Sequence, residues 1–247
     1  MRNIASIAIL AACIAVAATA QTSVIQPSGS SPAKEIRTFE IQSGGDLKIT
    51  NVNGGIKVTA HDKNEVALTA TFTPSRKNDE YPRIEVDSKK NYLELIVKYP
   101  NGKNLDGMCC EMELFVPRQI NSKINTVNGS IELNEIEGSH NVNTVNGSVA
   151  LDSVNGNIGA SSVNGSVMGT LQKNKGDLKA STVNGSIKFT LSDPNCTLNA
   201  STVNGKVTLN TLGAREVTTK KHSVSATFGN GDAKIKLTTV NGSIVVQ

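Results

Sequence analysis

Tryptophan is absent from this 247-residue chain, and three Tyr and five Phe are its only aromatics. Ring-stacking grooves for sugars and stacking platforms for nucleic-acid bases are therefore poorly supplied. Six of the aromatics (Phe39, Phe72, Tyr81, Tyr92, Tyr99 and Phe115) precede residue 120, and only Phe189 and Phe228 follow, so the two halves have different core chemistry. Charge is also scarce. A formal net charge of +4 is too mild to predict a nucleic-acid partner. The three histidines, His61, His140 and His222, are scattered, and no Cys-x-x-Cys or His-x-x-x-His spacing occurs, so no zinc site and no cofactor are expected.

What is present begins with a leader. Met1-Arg2-Asn3 is a short positive start, Ile4 to Ala17 is apolar, and Ala18-Thr19-Ala20 has the small-x-small pattern of a cleavage site. Residues 1–20 read as a secretory signal, which predicts a periplasmic, outer-surface or extracellular protein. An alternative is a lipoprotein anchored at Cys13, because Leu10-Ala11-Ala12-Cys13 has the shape of a lipobox. The apolar run from Ile14 to Ala20 speaks for ordinary secretion. Residues 21–35, rich in Ser, Pro, Gly and Gln, read as a linker, and 36–247 as the folded domain, with residues 116/117 as an alternative internal boundary.

Self-similarity dominates the rest. Val-Asn-Gly starts at Val52, Val127, Val145, Val154, Val163, Val183, Val203 and Val240. Six copies share a fuller frame, Thr/Ser-Val-Asn-Gly-Ser/Lys-Ile/Val, with steps of 18, 18, 20, 20 and 37 residues. Lys220-Lys221-His222-Ser223-Val224 fits the same frame and divides the last step. Between corners the apolar residues alternate, as in Leu178, Ala180, Thr182 and then Ile187, Phe189, Leu191. That is strand periodicity. A ladder of hairpins would place successive turns at opposite ends of a sheet and would not need one hexapeptide at every second turn. The expected fold is therefore all-β: a single-stranded β-solenoid of about 17–20 residues per coil, with longer strands interrupting the early coils. Coils one strand spacing apart would stack Asn128, Asn146, Asn164, Asn184, Asn204 and Asn241 into an amide ladder, with Gly129, Gly147, Gly165, Gly185, Gly205 and Gly242 at the corners. The Asn-Gly-Ser triplets also match a glycosylation sequon, but the ladder explains them without sugar.

An early coil is expected over Leu47 to Val58, strands over Val66–Thr73, Ile84–Val86, Leu93–Tyr99 and Met112–Val116, and no cap after the last corner at Val240. The final coil, Lys234 to Gln247, is expected to pair with another chain or to lie under the early strands, which gives a route to self-association. Beyond the leader, Cys109, Cys110 and Cys196 leave an odd thiol, so a disulfide from Cys109 or Cys110 to Cys196 and three free thiols are both open.

The repeated Thr-Val-Asn-Gly-Ser-Ile, the stretch Phe115 to Arg118 and the segment Asp46 to Val58 resemble a bacterial family of candidate adhesins of unknown function. They are also similar to the head domain of autotransporter adhesins. The resemblance implies a β-helix at the cell surface or in the periplasm and brings no catalytic residues. The acidic residues of the regular coils, such as Glu132 and Asp152, fall at different frame positions, so no catalytic pair is expected. The preferred expectation is a non-enzymatic binding module for a surface glycan or envelope protein. The alternatives are a structural or envelope-stress component acting through a protein partner, and a carbohydrate-active enzyme. Outward Lys173, Lys175, Lys179, Lys188, Lys220 and Lys221 suit anionic glycans or lipid headgroups, but a merely solubilising face is the preferred reading.

Overall fold

Alternation of apolar and polar residues decides this architecture, because it gives every strand one face to bury. A computed structural model describes residues 21–27, 32–75, 80–100, 105–172, 175–210 and 213–247. The leader with Cys13, part of the linker (28–31) and Lys173 lie outside the described residues. The first half supplies β1 (Gln21–Ile25), β2 (Ala33–Glu40), β3 (Gly45–Thr50), β4 (Ile56–His61), β5 (Glu65–Thr73), β6 (Arg83–Lys89), β7 (Tyr92–Lys98) and β8 (Cys109–Pro117). The regular coils supply β9 (Ile120–Asn125), β10 (Ile131–Asn134), β11 (Glu137–Thr144), β12 (Val149–Asp152), β13 (Asn155–Ser162), β14 (Val167–Gln172), β15 (Leu178–Asn184) and β16 (Ile187–Ser192). The last part supplies β17 (Cys196–Asn204), β18 (Val207–Leu209), β19 (Ala214–Lys220), β20 (Ser223–Phe228), β21 (Ala233–Asn241) and β22 (Ile244–Val246).

Two mixed sheets result. The first has the order β1-β6-β7-β3-β9-β11-β13-β15-β21-β17-β20-β19, and the second β18-β22-β16-β14-β12-β10-β4-β8-β5-β2. Each Val-Asn-Gly coil contributes one strand to each sheet, and neighbouring coils pair in parallel: Ile131 lies beside Val149, Val149 beside Val167 and Val167 beside Ile187. Inward columns of Ile, Val, Leu and Ala form one contiguous core from Ile25 to Val246, so residues 116/117 do not separate two cores. Size is compensated between rungs. Phe189 fits because its neighbour on the preceding rung is Gly169, where an added Cβ would stand 3.0 Å from the Phe189 ring.

The rungs do not follow chain order. The coil of β3 and β4 lies between the rung of β7 and β8 and the coil of β9 and β10, although β7 and β8 come between them in sequence. At the other end, β21 and β22 are inserted between β15/β16 and β17/β18. The final coil therefore pairs on both sides within its own chain, instead of forming an edge or lying under the early strands. The expected copy at Lys220–Val224 is not a coil. Lys220 pairs with Ser223 in an antiparallel hairpin of β19 and β20. The frame puts His222 where a corner requires glycine, and a Cβ there cannot fit. This hairpin caps the first sheet: β20 pairs antiparallel with β17, and the Thr202 amide donates to the His222 carbonyl at 2.9 Å.

Two further expectations are corrected. The linker assigned to residues 21–35 contains β1, which pairs antiparallel with β6 and buries Ile25. Thr22, Val24 and Ile25 have the β-branched side chains that suit an edge strand. A disulfide to Cys196 is not formed, because Cys109, Cys110 and Cys196 are all free thiols. Seven rung spacings separate β8 from the coil of β17 and β18, about 34 Å at roughly 4.8 Å per rung, against the ~6 Å between Cα atoms that a disulfide needs.

Candidate functional site

The corner that builds the repeat also builds its surface. Its first residue is buried: the hydroxyls of Thr144, Ser162, Thr182, Thr239 and Thr202 each donate to the glycine carbonyl of the adjoining rung at 2.7–2.9 Å. The valine that follows points outward. Val127, Val145, Val163, Val183, Val240 and Val203 are 37–61% exposed, in a row along the stack. The asparagines are linked amide to amide. Asn128 donates to Asn53, Asn146 to Asn128, Asn164 to Asn146, Asn184 to Asn164, Asn241 to Asn184 and Asn204 to Asn241, all at 2.7–2.9 Å. Asn53 is thus a member that the six-residue set from the sequence omitted. Every amide points the same way, so the bonds polarise one another. At the glycines the backbones touch: a Cβ on Gly147 would lie 2.1 Å from the Gly129 oxygen, and one on Gly165 2.0 Å from the Gly147 oxygen.

A second hydrogen-bonded column runs along the half-way turns. Asn121 Oδ1 accepts the Ser139 N–H, Asn157 Oδ1 that of Asp177, and Asp177 Oδ1 that of Lys234, at 2.8–3.0 Å. The signal was available, since Asn121, Asn157 and Asp177 each stand six residues before their coil's corner valine.

The ladder ends in a groove of about 780 Å³ beside Val52, Asn53, Met108, Cys109, Glu111 and Asn128. Asn53 Nδ2 donates to the Met108 carbonyl at 3.1 Å, and Glu111 Oε2 accepts the Gly55 N–H at 2.7 Å. Behind it, Tyr99 donates its hydroxyl to Asn51 Oδ1 at 2.8 Å, and burial pushes its pKa up. Burial also raises the Cys110 thiol above the ordinary range and the Cys196 thiol to about 11.

The outer face of the first sheet is polar. One column runs Lys48, Lys123, Asn141, Gly159, Lys179, Lys236, Asn199, and the next Thr50, Asn125, Asn143, Ser161, Ser181, Thr238, Ser201. Lys48 pairs with Glu94 at 2.6 Å, and this bond lowers the Glu94 pKa. Lys123, Lys179 and Lys236 are exposed, and none is ion-paired among the described residues. The other lysines singled out from sequence do not converge on them: Lys188 lies in the second sheet, Lys175 precedes β15, and Lys220 and Lys221 lie at the tip of the β19–β20 hairpin.

The remaining candidates share no column. Glu132 has Lys57 and Ala150 as rung neighbours, whereas Asp152 has Asn134 and Thr170. Among the described residues no group of three or more His, Cys, Asp or Glu is placed to hold a metal ion, and no helix is long and apolar enough to cross a membrane. His61 hydrogen-bonds the Glu65 carbonyl, and His222 the Gly205 carbonyl. His140 lies in the core at 2% exposure, with Nδ1 2.9 Å from the Ser122 hydroxyl and Nε2 without a partner.

No curated protein matches the chain. The fold is similar to that of a candidate cell adhesion protein from Clostridium sporogenes, at 17% identity and a TM-score of 0.50, covering 87% of this chain and 98% of that one. A candidate adhesin from Bacteroides fragilis aligns at 14% identity over 90% of this chain and 100% of its own, with a TM-score of 0.31. A candidate lipid binding protein from Parabacteroides distasonis aligns at 14% identity over 90% and 99%, with a TM-score of 0.29. The Toastrack DUF4097 family matches residues 103–247, from the strand before the first regular coil to the last residue, and the chain belongs to that family.

Proposed function

We propose that this protein is a non-enzymatic, adhesin-like binding module of the bacterial envelope or surface, built as a β-solenoid and exported by its leader. Its ligand on this reading is an anionic surface glycan lying along the outer face of the first sheet. The observation that carries the reading is the column of Lys123, Lys179 and Lys236 beside a column of amides and hydroxyls. From Lys123 to Lys236 is four rungs, about 19 Å, long enough to meet several sugars. Lysines supply point charges for carboxylate or sulfate, and Asn125, Asn143, Ser161 and Ser181 supply donors and acceptors for hydroxyls. This suits a chain with no tryptophan to stack on a sugar ring.

The test is a glycan array probed with wild type and with a variant in which Lys123, Lys179 and Lys236 are all alanine. Wild type should retain anionic glycans in a salt-sensitive manner, and the variant should bind them roughly tenfold or more weakly, since exposed charge contacts are worth up to about 1 kcal/mol each. Equal retention of both proteins, or none by wild type, overturns the assignment. Capture of an envelope protein instead would favour the alternative of a structural component working through a protein partner.

A further inference from the structure

The final coil occupies a place that the sequence also offers to another coil. β21 and β22 separate β15/β16 from β17/β18. Yet Leu178–Gly185 and Leu198–Gly205 are identical at seven of eight positions, differing only at Lys179 and Asn199. The step from Val183 to Val203 is 20 residues, the same as from Val163 to Val183, whose coils are direct neighbours. Coil 196–209 therefore has what it needs to stack directly on coil 178–192. Asn204 would donate to the Asn184 oxygen that Asn241 now occupies, and Thr202 to the Gly185 carbonyl that Thr239 now uses. The sequence thus matches two stacking orders: coil 233–247 on coil 178–192, or coil 196–209 in its place.

The connection into this coil is a turn held by one side chain and by two backbone bonds, Gly231 N–H to the Phe228 carbonyl and Ala233 N–H to the Asn195 carbonyl. Gly229-Asn230-Gly231-Asp232 joins β20 to β21, with Gly229 and Gly231 at φ of 57° and 78°, values that glycine adopts freely. Asn195 clasps the turn. Its Oδ1 accepts the Asn230 N–H at 2.8 Å and the Gly231 N–H at 3.1 Å, and its Nδ2 donates to Asp232 Oδ2 at 2.8 Å. Asn195 opens β17's own coil, so the latch sits on the coil that would close over the vacated slot.

We propose that Ala233–Gln247 is an exchangeable coil, and that the slot vacated in one copy accepts the same coil from a second copy of this chain, giving a coil-swapped dimer. The slot selects its occupant closely. It presents parallel strand edges on both sides in both sheets, seats for Ile235 between Leu178 and Leu198 and for Leu237 between Ala180 and Ala200, and an amide acceptor at Asn184. A second copy brings the matching alternation and corner asparagine in register. Swapping an identical element requires no new contact, only release of the turn and transient opening of the β21 and β22 pairings on both sides, all of which re-form in the dimer. This inference stands independently of the glycan reading.

The test uses the full chain. Native-state hydrogen exchange is followed by mass spectrometry, and isotopically light and heavy protein are mixed at high concentration and analysed by native mass spectrometry. Amides of Ile235–Thr239 and Ile244–Val246 should exchange at least about tenfold faster than those of Leu198–Thr202, although the latter lie nearer the end of the sheet. Mixed-isotope dimers should form. Asn195→Ala, which strips three hydrogen bonds, should raise both the exchange of the final coil and the dimer fraction roughly tenfold or more. Ile131–Asn134 should stay as protected as in wild type, which shows that the stack remains folded. Faster exchange of Leu198–Thr202 than of the final coil, as simple fraying requires, overturns the proposal, and so does the absence of mixed dimers in both proteins.

Discussion

Asn241 donates its side-chain amide to Asn184 at 2.8 Å, across 57 residues of chain. Asn204 is chemically equivalent to Asn241 and much nearer to Asn184 in sequence, but it sits one rung farther out and donates to Asn241 instead. The bond between Asn184 and Asn241 thus records a choice among identical corners. It also shows what the ladder contributes, which is alignment of rungs whichever coil arrives.

An interior member of the ladder should cost more to remove than the terminal one. Asn164 donates to Asn146 and accepts from Asn184, while Asn204 only donates to Asn241. At about 1 kcal/mol per hydrogen bond, Asn164→Ala should destabilise by about 2 kcal/mol and Asn204→Ala by about half as much. Urea denaturation midpoints at constant m-value check this; equal losses would mean that the amides do not act as a chain.

Two glycines should respond oppositely to a methyl group. At Gly147 a Cβ would meet the Gly129 oxygen at 2.1 Å, whereas at Gly159 the nearest atom is 3.9 Å away. Gly147→Ala should destabilise by about 3 kcal/mol, the upper range of core overpacking. Gly159→Ala should be neutral or slightly stabilising through the unfolded state. Thermal unfolding of the two variants separates them, and similar melting temperatures would contradict the close-packed corner.

Stability should fall with acid through His140. Burial lowers its pKa from 6.5 to about 4. Above about pH 6.5 the imidazole is neutral both folded and unfolded, and stability is full. Between about pH 6.5 and 4 the unfolded chain binds a proton that the folded protein refuses, so stability declines by about 3 kcal/mol and then levels off. Replacing Ser122 and His140 together, as Ser122→Ala with His140→Leu, should remove that decline. Denaturation at pH 7.5 and pH 4.5 is the check, and an undiminished loss in the double variant would place the acid sensitivity elsewhere.

Thiol labelling should distinguish the cysteines. Cys110 and Cys196 are buried with raised pKa values, while Cys109 is only partly buried. In the folded protein one of these three should react with a thiol reagent within minutes and the other two only on unfolding, because the reactive species is the thiolate. Two or more fast thiols in the native state would contradict the packing of β8 or β17.

Much of this molecule is legible one residue at a time. Alternation in Leu178, Ala180 and Thr182 fixes strand and inward face, and Asn-Gly after an exposed valine fixes the corner, because a Cβ at the glycine would strike the next rung's carbonyl. Those requirements recur identically in every coil whichever rung lies beside it, so the sequence by itself determined them. Rung order was decided only by the tertiary structure. Asn184, Asn204 and Asn241 carry the same corner chemistry, and nothing local says which stacks on which. Whether Lys220–Val224 turns back as a hairpin, whether β1 finds β6, and where His140 and the three lysines of the first sheet come to lie depend on pairing between distant segments. Pairing is a property of the stack as a whole, since each strand's neighbours are set by which edges remain open when it arrives.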